Sequence, residues 1–377
     1  MKPYIYADNA ATTQLDKEAL DAMIPWLTED YGNPSQPYSF SRKPKEAIKS
    51  ARETIADCIG ADPEEIIFTS GGTESDNWAI KCFSSQPGNH FIVTSPIEHH
   101  AVLNSCSEQS NPVFYMPVDS KGVVSLGGLE SILKEEAEKA DASSSLVSIM
   151  FANNEIGSIQ PIKEATDIAH HYNAIFHTDA VQAIGHLPVN VGILDVDILS
   201  ASAHKFNGPK GVGFLYIKKG TTVSRFHSGG SQEFRMRAGT ENVAGIVGMA
   251  IALKNNCAHL KENMRHLSLL EEHLIEQLHL NQVDFIRNGA DNHLPGIVHL
   301  SFKGYDGEAI LHRMDLLGIA ISTGSACDSV NTQISHVLKA IQLDDECARG
   351  SIRVSLGKNN TTEDIDLIAS SLRKIIA

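Results

Sequence analysis

The six cysteines include no C-x-x-C pair, so neither a disulfide framework nor a zinc site is expected in this 377-residue chain. Cations are also scarce: 31 Lys and Arg stand against 46 Asp and Glu, a formal charge of −15. Binding a phosphate backbone needs clustered positive charge, so direct nucleic-acid binding is not expected. Solubility and partners with basic patches are favoured instead. No apolar run reaches the about 18 residues that would suggest a membrane span, so no membrane partner is expected. The opening Met1-Lys2-Pro3-Tyr4-Ile5-Tyr6-Ala7-Asp8 has no apolar leader core, and a cytoplasmic location is the default expectation. Repeats, low-complexity stretches and flexible linkers are missing too. What is there is an ordinary globular composition, 42% hydrophobic and 20% charged, with length for two or three domains.

From about residue 62 to 217, short apolar runs alternate with helix-length segments. The runs are Ile66–Thr69, Phe91–Thr94, Leu146–Met150, Ala174–His177, Ile198–Ala201 and Gly213–Ile217. Strands that are apolar throughout imply a mainly parallel sheet covered on both faces, hence an α/β architecture. After about residue 255 the texture changes. Met264, Leu267, Leu270, Leu274 and Leu278 recur at helical spacing within a charged segment and predict one long amphipathic helix. Two strand-like pieces follow, Gly296–Ser301 and Ile319–Ser322, with a closing helix near Asp364 to Lys374. The expected organisation is a large domain over residues 16–255 and a smaller α+β domain built from residues 1–15 and 256–377. Cys58 and Cys82 fall in helical patterns and read as small buried hydrophobes.

Open α/β sheets bind ligands beyond the carboxyl ends of their strands, so the residues just after each run carry the information. Gly71-Gly72-Thr73 before a helix offers close backbone approach, a hydroxyl and free N–H groups, a workable phosphate cradle; alone, the same residues are as often a turn and cap. Other runs lead into Glu98-His99-His100, Asp179-Ala180-Val181-Gln182 and Ser202-Ala203-His204-Lys205. Each has a bland reading, a solvated lysine or a capping aspartate. Together they are what a pyridine aldehyde phosphate requires: an amine for a Schiff base, a carboxylate for the ring nitrogen, an imidazole near the ring, and hydroxyls for the phosphate.

Ordered motifs extend over nearly the whole chain: Asp8-Asn9-Ala10-Ala11-Thr12-Thr13, Gly32-Asn33-Pro34-Ser35, Ser70-Gly71-Gly72-Thr73-Glu74-Ser75, Asn153-Asn154-Glu155-Ile156-Gly157, Ala203-His204-Lys205, Arg237-Ala238-Gly239-Thr240, Gly324-Ser325-Ala326-Cys327 and Ser351-Ile352-Arg353-Val354-Ser355-Leu356-Gly357. With these the sequence resembles the cysteine desulfurases, the NifS/IscS-like branch of the class V aminotransferases. That resemblance implies a fold-type I enzyme whose large α/β domain binds pyridoxal 5′-phosphate. Lys205 would carry the cofactor, Asp179 would pair with the ring nitrogen, Gln182 would bond the ring hydroxyl and His99 would stack on the ring. Gly72, Thr73, Ser202 and His204 would hold the phosphate, and Thr240 would reach it from the second subunit of a homodimer. His99 would also take a catalytic part, and Asn154 would touch the cofactor and, with Arg353, bind the carboxylate of L-cysteine, for which a planar guanidinium fork is well shaped.

Cys327 lies in a run of small and polar residues, Ser322 to Asn331, typical of a loop. The resemblance makes it the nucleophile that takes the substrate sulfur as a persulfide and passes it to an acceptor protein serving iron–sulfur cluster biogenesis, tRNA thiolation or DNA phosphorothioation. Departures from the family pattern include Tyr38, Lys358 and Asp328; a carboxylate facing Cys327 would raise the thiol pKa. A selenocysteine lyase or another class V aminotransferase is the alternative, and an inert assembly platform would be expected to lack Lys205 or Cys327. No metal site is implied.

Overall fold

A computed structural model describes residues 4–84, 90–139, 144–323 and 334–376. The strands in chain order are β1 Ile5–Tyr6, β2 Ile66–Thr69, β3 His90–Thr94, β4 Val113–Tyr115, β5 Ser144–Ser148, β6 Ile175–Asp179, β7 Ile198–Ser202, β8 Gly213–Ile217, β9 Ile286–Asn288, β10 Ile297–Ser301, β11 Ile319–Ala320 and β12 Ser351–Ser355.

Seven of them form one sheet in the order β2-β8-β7-β6-β5-β3-β4. The β4-β3-β5-β6-β7 ladder is parallel throughout, and β2, β3 and β7 are buried at every residue. This is the expected mark of strands covered on both faces. β8 runs antiparallel to both β7 and β2. The physical reason is the short connection of residues 203–212, too short for the helical crossover that a parallel return needs. Two of the apolar runs are shifted: β5 stops at Ser148, and β6 continues to Asp179. The edge strand β4 is three residues long and only partly buried, and it was not among those expected.

The strand order reverses direction between β3 and β5, the place where an open sheet leaves a crevice beyond its carboxyl ends. A second, three-stranded antiparallel sheet, β12-β10-β9, is covered by the helices Leu260–Leu280 and Thr362–Ile376. Leu267, Leu270, Leu274 and Leu278 are buried there, while Met264 packs against the apolar cluster of the large sheet. Ile5 and Ala7 belong to the cluster of the small sheet. β1 pairs in parallel with β11, and Asp8 bridges to Ser355, so the N-terminal strand is stitched to residues near the C-terminus before the chain enters the large sheet.

Cys82 is buried in the Gly72–Ser84 helix, as expected; Cys58, in the Arg42–Ile59 helix, is only half-buried. No helix among the described residues is by itself long and apolar enough to cross a membrane.

Candidate active site

The residues that end β6 and β7 face those that follow β2, β3 and β5 across a cleft of about 340 Å³. Gly72, Thr73, His99, Asn154, Asp179, Gln182, Ser202, His204, Lys205 and Arg353 all line it. Two of the sequence-predicted residues do not. Thr240 is exposed and stands outside the cleft of its own chain. Cys327 lies outside the described residues, as does Asp328.

Lys205 is placed by a single turn of 3-10 helix, Ala203–Lys205, directly after β7. Gly208 closes that turn, and any Cβ there would meet the Ala203 carbonyl oxygen at 2.9 Å. The turn is tied to the N-terminal segment, because Thr13 donates to the His204 carbonyl and the Asn207 N–H donates to Thr13 Oγ1. Lys205 Nζ donates to the carbonyl oxygens of Ala10 and Ala11 at 2.7 and 2.9 Å. Gln182 Nε2 donates to the same Ala10 oxygen at 3.0 Å.

Asp179 ends β6, is 6% exposed, and accepts the Val181 N–H at 2.9 Å. Burial pushes its carboxyl up to about 6, against the opposing pull of the Val181 N–H and the Lys205 charge. His99 caps the His100–Ser107 helix through Nδ1, which accepts the Ala101 N–H at 3.1 Å. That bond leaves the proton on Nε2. Burial, then the charge of Lys205, lowers His99 to about 4, so the ring is neutral near pH 7. His204 is lowered to about 4 by burial and by Lys205, and its Nδ1 lies 3.1 Å from Thr12 Oγ1.

The phosphate cradle of the sequence reading has a matching shape. Gly71 adopts φ +147, a value L side chains avoid, and a Cβ on Gly72 would meet Val181 Cγ2 at 2.6 Å. Gly72 opens the helix whose first N–H groups have no intrahelical partner. On the opposite wall Arg353 projects from β12. It is 3% exposed, donates to the Asn154 carbonyl at 2.9 Å and to Asp8 Oδ1 at 2.8 Å, and its Nε has no hydrogen-bond partner among the described residues.

Several cleft residues escaped the sequence reading. Asp76 is 1% exposed, with one oxygen unbonded among the described residues. Burial, then the charge of Asp179, holds its carboxyl well above the usual range. Its spacing of one helical turn from Thr73 was the available signal. Behind it His177 is fully buried, bonded to Ser148 at 2.9 Å and Ser200 at 3.0 Å, and kept neutral by burial, which lowers it to about 3. His336 donates from Nε2 to the Glu98 carbonyl at 2.9 Å, and its ring lies 4.7 Å from that of His100. On the other side of the segment that carries Cys327, Ser322 exchanges backbone hydrogen bonds with Arg353 at 2.7 and 3.0 Å.

The family profile "Aminotransferase class-V" matches residues 5–368. A protein of Dictyoglomus turgidum named cysteine desulfurase IscS is 48% identical, over 100% of this chain and 95% of its own. A solved NifS-like protein superposes with a TM-score of 0.90 at 38% identity, covering 99% of both chains. The structure described as SspA in complex with cysteine gives a TM-score of 0.78 at 32% identity, over 95% of this chain and 100% of that one.

Proposed function

The chain belongs to the class-V aminotransferase family and is a cysteine desulfurase, and from that premise we propose how its cleft takes sulfur from L-cysteine and which residues do the work. The observation that carries the reading is the convergence of Asp179, Lys205 and Arg353 on one cleft. An acid, an amine and a guanidinium there match a ring nitrogen, an aldehyde and an amino-acid carboxylate.

The enzyme uses pyridoxal 5′-phosphate, and the residues fit that group. The crowding at Gly72 leaves no room for a side chain in the cradle, and Asp179 is buried on the same wall as Lys205. When bound, the cofactor supplies an electron sink for the pair released at the substrate carbon. Asp179 holds the proton of the ring nitrogen. Gln182, already anchored on Ala10, presents its remaining N–H to the ring hydroxyl. His99 stacks as a neutral ring, and Thr73, Ser202, His204 and the helix N–H groups bind the phosphate. Lys205 would hold the cofactor through its aldehyde, and once the substrate amine had displaced it there, its freed amine would move a proton to and from the substrate carbon.

Arg353 and Asn154 bind the substrate carboxylate. The Cys327 thiolate bonds to the substrate sulfur as the carbon–sulfur bond breaks; the pair stays with carbon, which takes a proton to become alanine. Cys327 keeps the sulfur as a persulfide and hands it to an acceptor protein. His336, after that segment, lines the cleft, and Ser322, before it, is bonded through its backbone to Arg353, which also lines it; both support delivery of Cys327 to the cleft.

The assembly is a homodimer in which Thr240 of one copy reaches the phosphate of the other. Leu20, Ile24 and Leu27 support this, forming an apolar face of the Lys17–Thr28 helix that is 45, 45 and 63% exposed. The chain divides into residues 16–255 and a smaller unit of 1–15 with 256–377, supported by the separate apolar clusters of the two sheets. The acceptor belongs to an iron–sulfur, tRNA or DNA thiolation pathway, and the site of action is the cytoplasm.

The test is a turnover assay with L-cysteine on the holoenzyme. Wild type releases alanine and gains one reducible sulfur on the Cys327 peptide by mass. Cys327→Ser still binds cofactor and cysteine but does not cleave the carbon–sulfur bond, a hydroxyl having no thiolate-like form near neutral pH. Wild-type turnover by that variant overturns the persulfide route.

A further inference from the structure

An ion pair outside the cleft lining is built at unusual cost. Arg52 and Glu233 are 8 and 7% exposed and meet through two hydrogen bonds of 2.9 and 2.7 Å. The guanidinium also donates to the Ile66 carbonyl and lies between the rings of Phe68 and Phe234, 4.4 and 4.9 Å from their centroids. Glu233 accepts the Phe68 N–H at 2.8 Å. Buried pairs of this kind seldom add stability over apolar packing, and their better-attested role is to fix one geometry.

The geometry fixed here is uncommon. Glu233, Phe234 and Arg235 have φ of +44, +55 and +69, three consecutive L residues in the left-handed region that glycine favours. A second pair holds the chain just beyond the turn. Arg237 binds Glu74 through two bonds of 2.9 and 3.1 Å, and Glu74 also accepts the Ser70 N–H at 2.8 Å. Gln232 closes the loop by accepting the Gly239 N–H at 3.3 Å. After all this constraint the chain presents Thr240 to solvent, and no residue from Glu233 to Thr240 lines the cleft of the same chain.

We propose that the Arg52–Glu233 clasp, with the Arg237–Glu74 pair beyond it, is a positioning device that aims Thr240 at the cofactor phosphate in a second copy of this chain. The inference rests on the reading that Thr240 acts across the dimer. The clasp acts in trans: its benefit appears in the partner's cofactor site rather than in its own. The strained turn is retained because a relaxed one would direct residues 237–240 elsewhere.

Mixed dimers separate the two sites. In a dimer with Lys205→Ala on one subunit, the visible absorbance of lysine-bound cofactor reports only the intact subunit. Glu233→Gln on the Lys205→Ala subunit is expected to weaken cofactor retention at the intact site at least tenfold in a pyridoxal phosphate titration. On the intact subunit itself the same change is expected to stay within twofold. Phe234→Ala is the milder second variant, since it deletes the exposed ring that covers Arg52 without opening the core; a severalfold loss, again only in trans, is expected. Equal effects in the two placements, or no effect in trans from either variant while Thr240→Ala is effective there, overturn the proposal. A Thr240→Ala change that is silent in trans overturns the shared-site reading itself, and the clasp with it.

Discussion

Arg353 donates to the backbone carbonyl of Asn154 at 2.9 Å, joining the small sheet to the loop that follows β5 and setting the substrate wall of the cleft. With Asp8 on its other nitrogen at 2.8 Å, the guanidinium plane is fixed before a substrate arrives, so little side-chain entropy remains to be lost on binding.

Arg353→Lys is expected to raise KM for L-cysteine about tenfold or more, because an ammonium can keep the charge but not two parallel bonds. The cofactor absorbance should be unchanged, since the side-chain hydrogen bonds of Arg353 go to the Asn154 backbone and to Asp8. Steady-state kinetics with a parallel spectrum checks both; an unchanged KM removes Arg353 from the carboxylate site.

Two of the buried carboxyls that line the cleft, Asp179 and Asp76, divide their work. Asp179→Asn should cost about a hundredfold or more in kcat, about 3 kcal/mol of transition-state stabilisation, because an amide cannot hold the ring nitrogen protonated. Asp76→Asn should stay within a few-fold of wild type, since burial and the neighbouring Asp179 already favour its neutral form. Reversed magnitudes would exchange the two roles.

Glu98 gives a pH-dependent prediction. It is fully buried, accepts from Ser95 at 2.6 Å and the Met150 N–H at 3.0 Å, and has its second oxygen unbonded among the described residues. Burial pushes it from its ordinary 4.5 up to about 8. A carboxyl raised on folding binds its proton more tightly in the native state. Its contribution is therefore complete below about 4.5 and is lost as pH rises toward 8. Glu98→Gln imitates the protonated group and keeps both accepted bonds. Its melting temperature should match wild type near pH 4.5 and exceed it increasingly toward pH 8, by a stability of a few kcal/mol. A gap that closes with rising pH contradicts this account.

The strand ends were legible because fully buried strands leave unbroken apolar runs, and the polar residue after such a run, Asp179 after Phe176 or Lys205 after Ala201, stands out. The antiparallel return of β8 was not, since its run reads like those of the parallel strands and only the short connection betrays it. Asp76 and Glu98 were hidden for another reason. A buried acid looks like a surface acid in sequence; what distinguishes them is packing from β5, β6 and β7, which lie far along the chain. Thr240 was singled out by motif alone, and the clasp beneath it by nothing local, because Arg52 and Glu233 are separated by 181 positions.

The carbonyls of Ala10 and Ala11 that hold Lys205 belong to a segment whose own anchor is Ser355: the Asn9 N–H donates to its carbonyl, and the Ala10 N–H to its hydroxyl. During synthesis the first dozen residues leave the ribosome long before that anchor exists. The large sheet can fold as its strands emerge, but the lysine's setting is finished only when residue 355 is free of the exit tunnel. A nascent chain arrested before that point should hold cofactor poorly despite having every ring and phosphate contact of its own.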